Sequence, residues 1–316
     1  MGLSEKNIKI DSINKLIGED FTPDPVSLLE STRNLGYSIE EAISDLIDNS
    51  ITAKAKNITY EFHWNFGVPF FLLKDDGIGM SNDNMELVNS FKLGANKEKD
   101  RDPKDLGRFG FGMKTASLSQ SRSLTVITKK KGNSIIARAL DLIFIAELKQ
   151  GWKLKLVNEE KIQSEALFLN TKESGTIIRW DDWDKAPKNH SDFTSLISQI
   201  NNYLSVCFHR LIERGINIYC HETLLIPCSP IPSGEGSSFY SETIIDANAK
   251  QTAYIIQHPK YWAEDYENIL KFNSFRLFEG FERQQGIYIY RLNRLLTPKG
   301  GWLGQINKGN SAKLAR

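Results

Sequence analysis

The sequence predicts an α+β protein: a helix-plus-sheet sandwich with mostly antiparallel connections, followed by a second α/β unit. Three observations point that way. A capped amphipathic helix near residues 38–55 leads directly into two strand-patterned segments, Asn57 to His63 and Pro69 to Lys74. Ser123 to Thr128 and Ile135 to Leu140 are strand-like runs either side of Lys129-Lys130-Lys131-Gly132-Asn133, a hairpin tip that makes them antiparallel neighbours. A long amphipathic stretch from Ser191 to Arg214 then restarts the helical period and opens something new. With 316 residues, 40% hydrophobic and 25% charged, the chain has the composition of a soluble globular protein long enough for two domains.

Residues 1–36 mix polar side chains with Pro23 and Pro25 and are expected to be an N-terminal arm, in which Ser27 to Arg33 make a short helix that Gly36 stops. Ser38 and Glu41 form a capping-box pattern that starts the next helix, which runs to about Ala55. Within it Ile43, Leu46, Ile47 and Ser50 follow the i, i+3, i+4, i+7 spacing of one helix face, so Glu41, Asp45, Asp48, Asn49 and Thr52 gather on the other. The apolar strand ending at Lys74 delivers Asp75, and Ser81-Asn82-Asp83 begin another helix. Residues 94–106 are highly charged without apolar periodicity and are expected to form a mobile loop. Met113 to Ser119 open a helix from the glycine segment before it, and Trp152 to Val157 and Gly175 to Trp180 are further strands. A first domain, 37–190, closes there. The second, 191–316, continues through strands at Ile216 to Cys220, Leu224 to Pro227, Gln251 to Gln257 and Gly286 to Tyr290. Apolar residues resume at Lys313-Leu314-Ala315-Arg316 with no cap, the pattern of a second domain cut short.

Forty Lys plus Arg against thirty-nine Asp plus Glu leave a formal charge of +1, so no global field draws the chain to nucleic acid or an anionic membrane. Cys207, Cys220 and Cys228 are odd in number and lack Cys-x-x-Cys spacing, which argues against a disulfide framework and for small core thiols in a reducing compartment. The N-terminus is polar, and no apolar run approaches the roughly 18 residues of a spanning helix, so a cytoplasmic protein without membrane contact is expected. The five histidines show no metal-ligand spacing, and no Gly-x-Ser-x-Gly elbow supports a hydrolase triad.

Three segments carry chemistry. On the first helix Asp45 and Asn49 lie one turn apart on the same side, where a carboxylate and an amide oxygen could converge on a water and a hard metal ion. After the second strand come Asp75-Asp76-Gly77-Ile78-Gly79-Met80, in which glycines let the backbone approach a ligand closely. Finally Gly107-Arg108-Phe109-Gly110-Phe111-Gly112-Met113-Lys114-Thr115 offers unhindered backbone N–H groups, backed by a helix N-terminus, to phosphate oxygens. The P-loop register fails because Met113 stands between Gly112 and Lys114, and the dinucleotide fingerprint fails because its glycine spacing is reversed.

In order and approximate spacing these segments, with Gly175-Thr176, resemble the GHKL superfamily of ATPases over about residues 38–180. That superfamily, which uses the Bergerat nucleotide-binding fold, includes DNA gyrase B subunits, ATP-dependent heat-shock chaperones, MutL and MORC proteins. The resemblance implies ATP and Mg2+ as cofactors, Asp45 as the general base that activates water, and Asn49 as the metal ligand. It assigns Asp75 to the adenine amino group, with Gly77, Gly79, Met80 and Thr176 around the base. Gly107, Gly110, Phe111, Gly112, Met113 and Lys114 would then cradle phosphates. Most relatives carry Glu at the base position, and the shorter Asp45 implies slow hydrolysis. The charged loop from Gly94 to Leu106 sits where the family has its ATP lid, so ATP is expected to order it and to drive N-terminal association into a homodimer. Ala42-Ile43-Ser44-Asp45-Leu46-Ile47-Asp48-Asn49-Ser50-Ile51 resembles bacterial MORC- and MutL-like ATPases of restriction or anti-phage systems.

Beyond residue 190, Ile216 to Tyr219, Leu225 to Pro227 and Gly286 to Leu295 look like the family's transducer domain, although no lysine stands in a convincing motif for the γ-phosphate. The alternative is a nearly inactive nucleotide sensor that recruits a nuclease or other partner. Intrinsic DNA binding would rest only on Lys129 to Lys131 and the lid lysines, and Arg291 and Arg294 are expected on a solvated strand face.

Overall fold

The computed structural model describes residues 22–34, 36–92, 112–148, 151–230, 239–246, 249–256 and 287–298. Helix α1 (Pro25–Arg33) is capped by Asp24, whose carboxylate accepts from the Ser27 N–H at 2.8 Å. Helix α2 (Ile39–Thr52) carries the expected capping box: Ser38 Oγ accepts from the Glu41 N–H, and Glu41 Oε2 accepts from the Ser38 N–H at 2.9 Å. Strands β1 (Asn57–His63) and β2 (Phe70–Asp75) follow, then helices α3 (Glu86–Phe91) and α4 (Gly112–Gln120). After them come β3 (Ser123–Lys129), β4 (Ile136–Asp141), α5 (Leu142–Leu148), β5 (Lys155–Leu156), α6 (Gln163–Asn170) and β6 (Gly175–Asp181). Helices α7 (His190–Cys207) and α8 (His209–Ile212) lead to β7 (Asn217–Cys220) and β8 (Thr223–Leu224). Two separate pairs close the described chain: β9 (Phe239–Asp246) with β10 (Ala249–Ile256), and β11 (Tyr290–Arg291) with β12 (Arg294–Leu295).

The main sheet has eight strands in the order β5-β4-β3-β6-β2-β1-β7-β8, antiparallel throughout except where β7 lies parallel to β1. This is the α+β sandwich that the sequence predicts. Period-two alternation sends Phe71, Leu73 and Asp75 of β2 to one face, where α2, α4 and α7 pack. Ile43, Leu46 and Ile47 bury there with Tyr60, Leu118, Val126, Trp180 and Leu204. Leu72, Ile127 and Ile177 point to the opposite face, which α6 covers with Leu169. Asp75 therefore enters the helix layer because it continues the apolar phase of β2 rather than the solvent phase.

Several elements differ from expectation for identifiable reasons. The stretch from Ser191 to Arg214 is two helices broken at buried Phe208, not one. Helices α5 and α6 were not expected; Asp141 caps α5 by accepting from the Phe144 N–H at 3.0 Å. Strand β7, which lies past residue 190, completes the main sheet: the Asn217 N–H reaches the Lys56 carbonyl at 2.8 Å. The three cysteines are buried free thiols, as expected.

Candidate nucleotide site

The C-terminal half of α2, the ends of β2 and β3 and the start of β6 are joined by side-chain contacts. On α2, Asp45 accepts a hydrogen bond from Tyr37 Oη at 3.1 Å through Oδ2. Gly112, the first residue of α4, backs onto the same carboxylate, since a Cβ built there would stand 3.5 Å from Oδ2. Burial raises the Asp45 carboxyl above the ordinary range, while the Tyr37 hydroxyl and the Arg294 guanidinium pull it down. A carboxyl raised in this way holds a proton more readily than a free aspartate. One turn on, the Asn49 amide nitrogen is buried with no hydrogen-bond partner among the described residues.

Asp75 is only 4% exposed. Its Oδ2 accepts from Ser50 Oγ at 2.8 Å and its Oδ1 from the Gly77 N–H at 2.9 Å. An ionised carboxylate offers about four acceptor positions, so acceptor capacity remains for a further donor. Burial pushes its carboxyl up to about 6 against those hydrogen bonds. The neighbouring Asp76 is committed elsewhere: it accepts from the Lys56 and Asn57 N–H groups and from Asn57 Nδ2, stapling the start of β1. Geometry thus separates two adjacent aspartates: Asp75 keeps acceptor capacity, and Asp76 is used in holding the start of β1.

Two glycines here have no room for a side chain. At Gly77 a Cβ would meet the Ala53 carbonyl oxygen at 2.8 Å, and at Gly79, with φ +65°, it would meet the Lys129 carbonyl oxygen at 2.0 Å. The Met80 N–H then donates to Thr128 Oγ1 at 2.9 Å, and that hydroxyl lies 3.1 Å from Thr176 Oγ1. In the sheet register Thr176 pairs with Asp75. Asp75, Gly77, Gly79, Met80 and Thr176 therefore form one cluster, bounded by a buried carboxylate and a backbone lacking Cβ atoms.

The phosphate segment is partly described. Gly107, Gly110 and Phe111 lie outside the described residues, as does the charged loop from Gly94 to Leu106. Met113 is half-buried against the core. Lys114 is 3% exposed, and its Nζ donates to the Ser90 carbonyl at 2.8 Å, tying α4 to the end of α3.

Four participants escaped sequence reasoning. Ser50 lay in the apolar stripe, yet a hydroxyl on a core face needs a partner, and that requirement was the available signal for its bond to Asp75. Tyr37 and Thr128 gave none. Arg294 corrects the expectation of a solvated strand face: it is 6% exposed and its Nε lies 2.9 Å from Asp48 Oδ2. Asp48 is in turn buried rather than gathered with Asp45 on an open acidic face; burial pushes its carboxyl up and Arg294 pulls it down.

Lys129 to Lys131 are likewise engaged. Lys129 Nζ donates to the Leu169 and Lys172 carbonyls, Lys130 pairs with Glu86, and Lys131 pairs with Glu173. Among the described residues no group of three or more His, Cys, Asp and Glu side chains could hold a metal, and no helix is long and apolar enough to cross a membrane.

Residues 37–176 match the family described as histidine kinase-, DNA gyrase B- and HSP90-like ATPase. The chain is 28% identical to ATPase morc-1 of Caenorhabditis elegans over 107 residues, which are 34% of this chain and 12% of that protein. It is 34% identical to the DNA mismatch repair protein MutL of Thermoanaerobacter pseudethanolicus over 93 residues, 28% of this chain and 15% of that one. The matched segment is thus a small part of each relative's length.

Proposed function

Residues 37–176 form a GHKL ATPase domain related to those of MORC and MutL proteins, and on that premise we propose that the chain binds ATP with magnesium and hydrolyses it slowly. The observation that carries this reading is Asp75: a buried carboxylate with spare acceptor capacity, beside glycines that let the chain pack tightly around it. A carboxylate in that position accepts from the exocyclic amine of adenine and selects the base at one contact. Gly77, Gly79, Met80 and Thr176 border the same space. Asn49, whose side chain is not committed to the protein through its nitrogen, suits a metal through its oxygen. Magnesium, when bound there, neutralises phosphate charge. Asp45, held by Tyr37 and raised by burial, takes the proton of the attacking water. Gly107, Gly110, Phe111, Gly112, Met113 and Lys114 cradle the phosphates.

In this reading the loop from Gly94 to Leu106 closes on ATP and two protomers associate through their N-terminal regions, in a cytoplasmic DNA-related or phage-defence system. A specific observation favours a second reading, in which the chain senses nucleotide and recruits a nuclease or other partner. Asp45 is one methylene shorter than glutamate and already bonded to Tyr37. Calorimetric titration with ATP and a non-hydrolysable analogue in magnesium, followed by phosphate release, separates the two. Binding that Asp75→Asn abolishes, with release that Asp45→Ala removes, supports the ATPase. Binding without release supports the sensor, and no binding refutes both. An unchanged mass in solution on adding the analogue refutes ATP-dependent dimerisation.

A further inference from the structure

Resting on the ATP and magnesium reading above, we propose that Arg294 is a positioning residue of the nucleotide site, acting through Asp48 to fix the turn of α2 that carries Asp45 and Asn49. Asp48 stands immediately before Asn49 and three residues after Asp45, all within about one helical turn. A side chain fixed at that point fixes the rotation and advance of the turn. Arg294 does so from 246 residues away: its Nε lies 2.9 Å from Asp48 Oδ2 and 3.2 Å from Oδ1.

The arginine is itself held. Its Nη1 donates to the Leu295 carbonyl at 2.9 Å, and its guanidinium lies over the Phe208 ring, 5.1 Å from the centroid. The hairpin that carries it is anchored on both strands. Leu295 is fully buried against Val206 and Cys228, and Tyr290 lies under Arg210, 3.6 Å from ring centroid to guanidinium carbon. Its turn takes φ +48° at Leu292 and +69° at Asn293, a two-residue turn with both central residues left-handed. Leucine is strained there, so the surrounding packing holds a turn that local preference opposes.

Two considerations make this more than a core ion pair. A buried pair contributes little net stability over apolar side chains of the same size, so stability alone is a poor reason for one here. The Asn49 amide nitrogen has no partner among the described residues, so the aim of that side chain is inherited from the backbone turn that Asp48 and Arg294 fix. Partners that orient a metal-binding group typically affect affinity without touching the metal.

The test uses the full chain as wild type, Arg294→Gln, Asp48→Asn and the double variant, with Arg294→Lys as a milder change. ATP affinity is measured by calorimetry in magnesium and again in EDTA, beside thermal unfolding of each protein. We expect each single variant to lose about tenfold of the magnesium-dependent tightening, the usual scale for a supporting partner, while affinity in EDTA stays within about twofold. Arg294→Lys keeps the charge without the fork and should lose less. The double variant, in which two neutral side chains can bond each other, should recover most of the tightening. Unchanged tightening in the folded variants overturns the inference and leaves the ATPase reading intact. Equal losses with and without magnesium also overturn it, because they report general damage. Failure of the wild type to bind ATP overturns both.

Discussion

Replacing Asp75 by Asn should stabilise the protein at alkaline pH while removing nucleotide binding. The carboxyl is 4% exposed, and burial lifts it from the ordinary 3.8 to about 6. A raised carboxyl favours folding fully only below its unfolded value, and that advantage is lost as pH rises through the folded value. From these two values the ionised group costs the native state on the order of 1–2 kcal/mol at pH 5 and about 3 kcal/mol at pH 8. Asparagine carries no such cost but offers one oxygen fewer to Ser50 and Gly77, a loss of about 1 kcal/mol at either pH. The variant should therefore be near neutral at pH 5 and more stable by about 2 kcal/mol at pH 8. At about 2–4 °C per kcal/mol, the difference in Tm between variant and wild type should grow by roughly 3–6 °C between the two pH values. Calorimetry on the same samples should show ATP binding lost. A Tm difference that does not move with pH refutes the buried-charge argument, and retained ATP affinity refutes the adenine assignment.

Tyr37→Phe removes the hydroxyl that stabilises ionised Asp45, so the acid limb of phosphate release should move to higher pH; an unmoved limb would detach Tyr37 from the base. Gly79→Ala forces a Cβ onto the Lys129 carbonyl at a left-handed φ and should destabilise by more than about 1 kcal/mol, seen as a lower urea midpoint with weakened ATP binding. Leu46→Ala empties a site that is 1% exposed on the apolar face of α2; a loss of about 2–5 kcal/mol should appear in urea unfolding, with ATP affinity of the folded protein little changed.

Where side-chain partners lie close in sequence, the fold could be read without coordinates. Ser38 and Glu41 announced the start of α2, and Asp75 followed from a strand whose apolar phase ends in a carboxylate. Helix α5 was hidden because Leu142-Ile143-Phe144-Ile145 shows neither helical nor alternating polarity; only the Asp141 cap marked it. The break at Phe208 was hidden because its neighbours stay apolar on both sides, so the hydrophobic period gave no sign of a stop. Arg294 could not be read as a partner of Asp48 at all. Its neighbours alternate as in a solvated strand, and nothing local distinguishes an arginine facing water from one facing a carboxylate 246 residues upstream. The cluster of Asp75, Gly77, Gly79, Met80 and Thr176 was therefore legible from motifs, while the groups that hold Asp45, Asp48 and Asp75 in place came from contacts across the fold.

The parallel pairing of β7 with β1 sets the order in which this protein can be completed as it is synthesised. Everything from β1 to β6 can emerge from a ribosome and pair antiparallel while one side of β1 still has its backbone groups unmatched. Residues 217–220 must follow the whole of α7 and α8 before that edge is covered. An unpaired edge invites another chain, and parallel closure across so long a connection is slow. A polypeptide ended near residue 190 would keep all three motif segments yet leave β1 open to self-association. Solubility, rather than the presence of those motifs, would then decide how short a working protein can be.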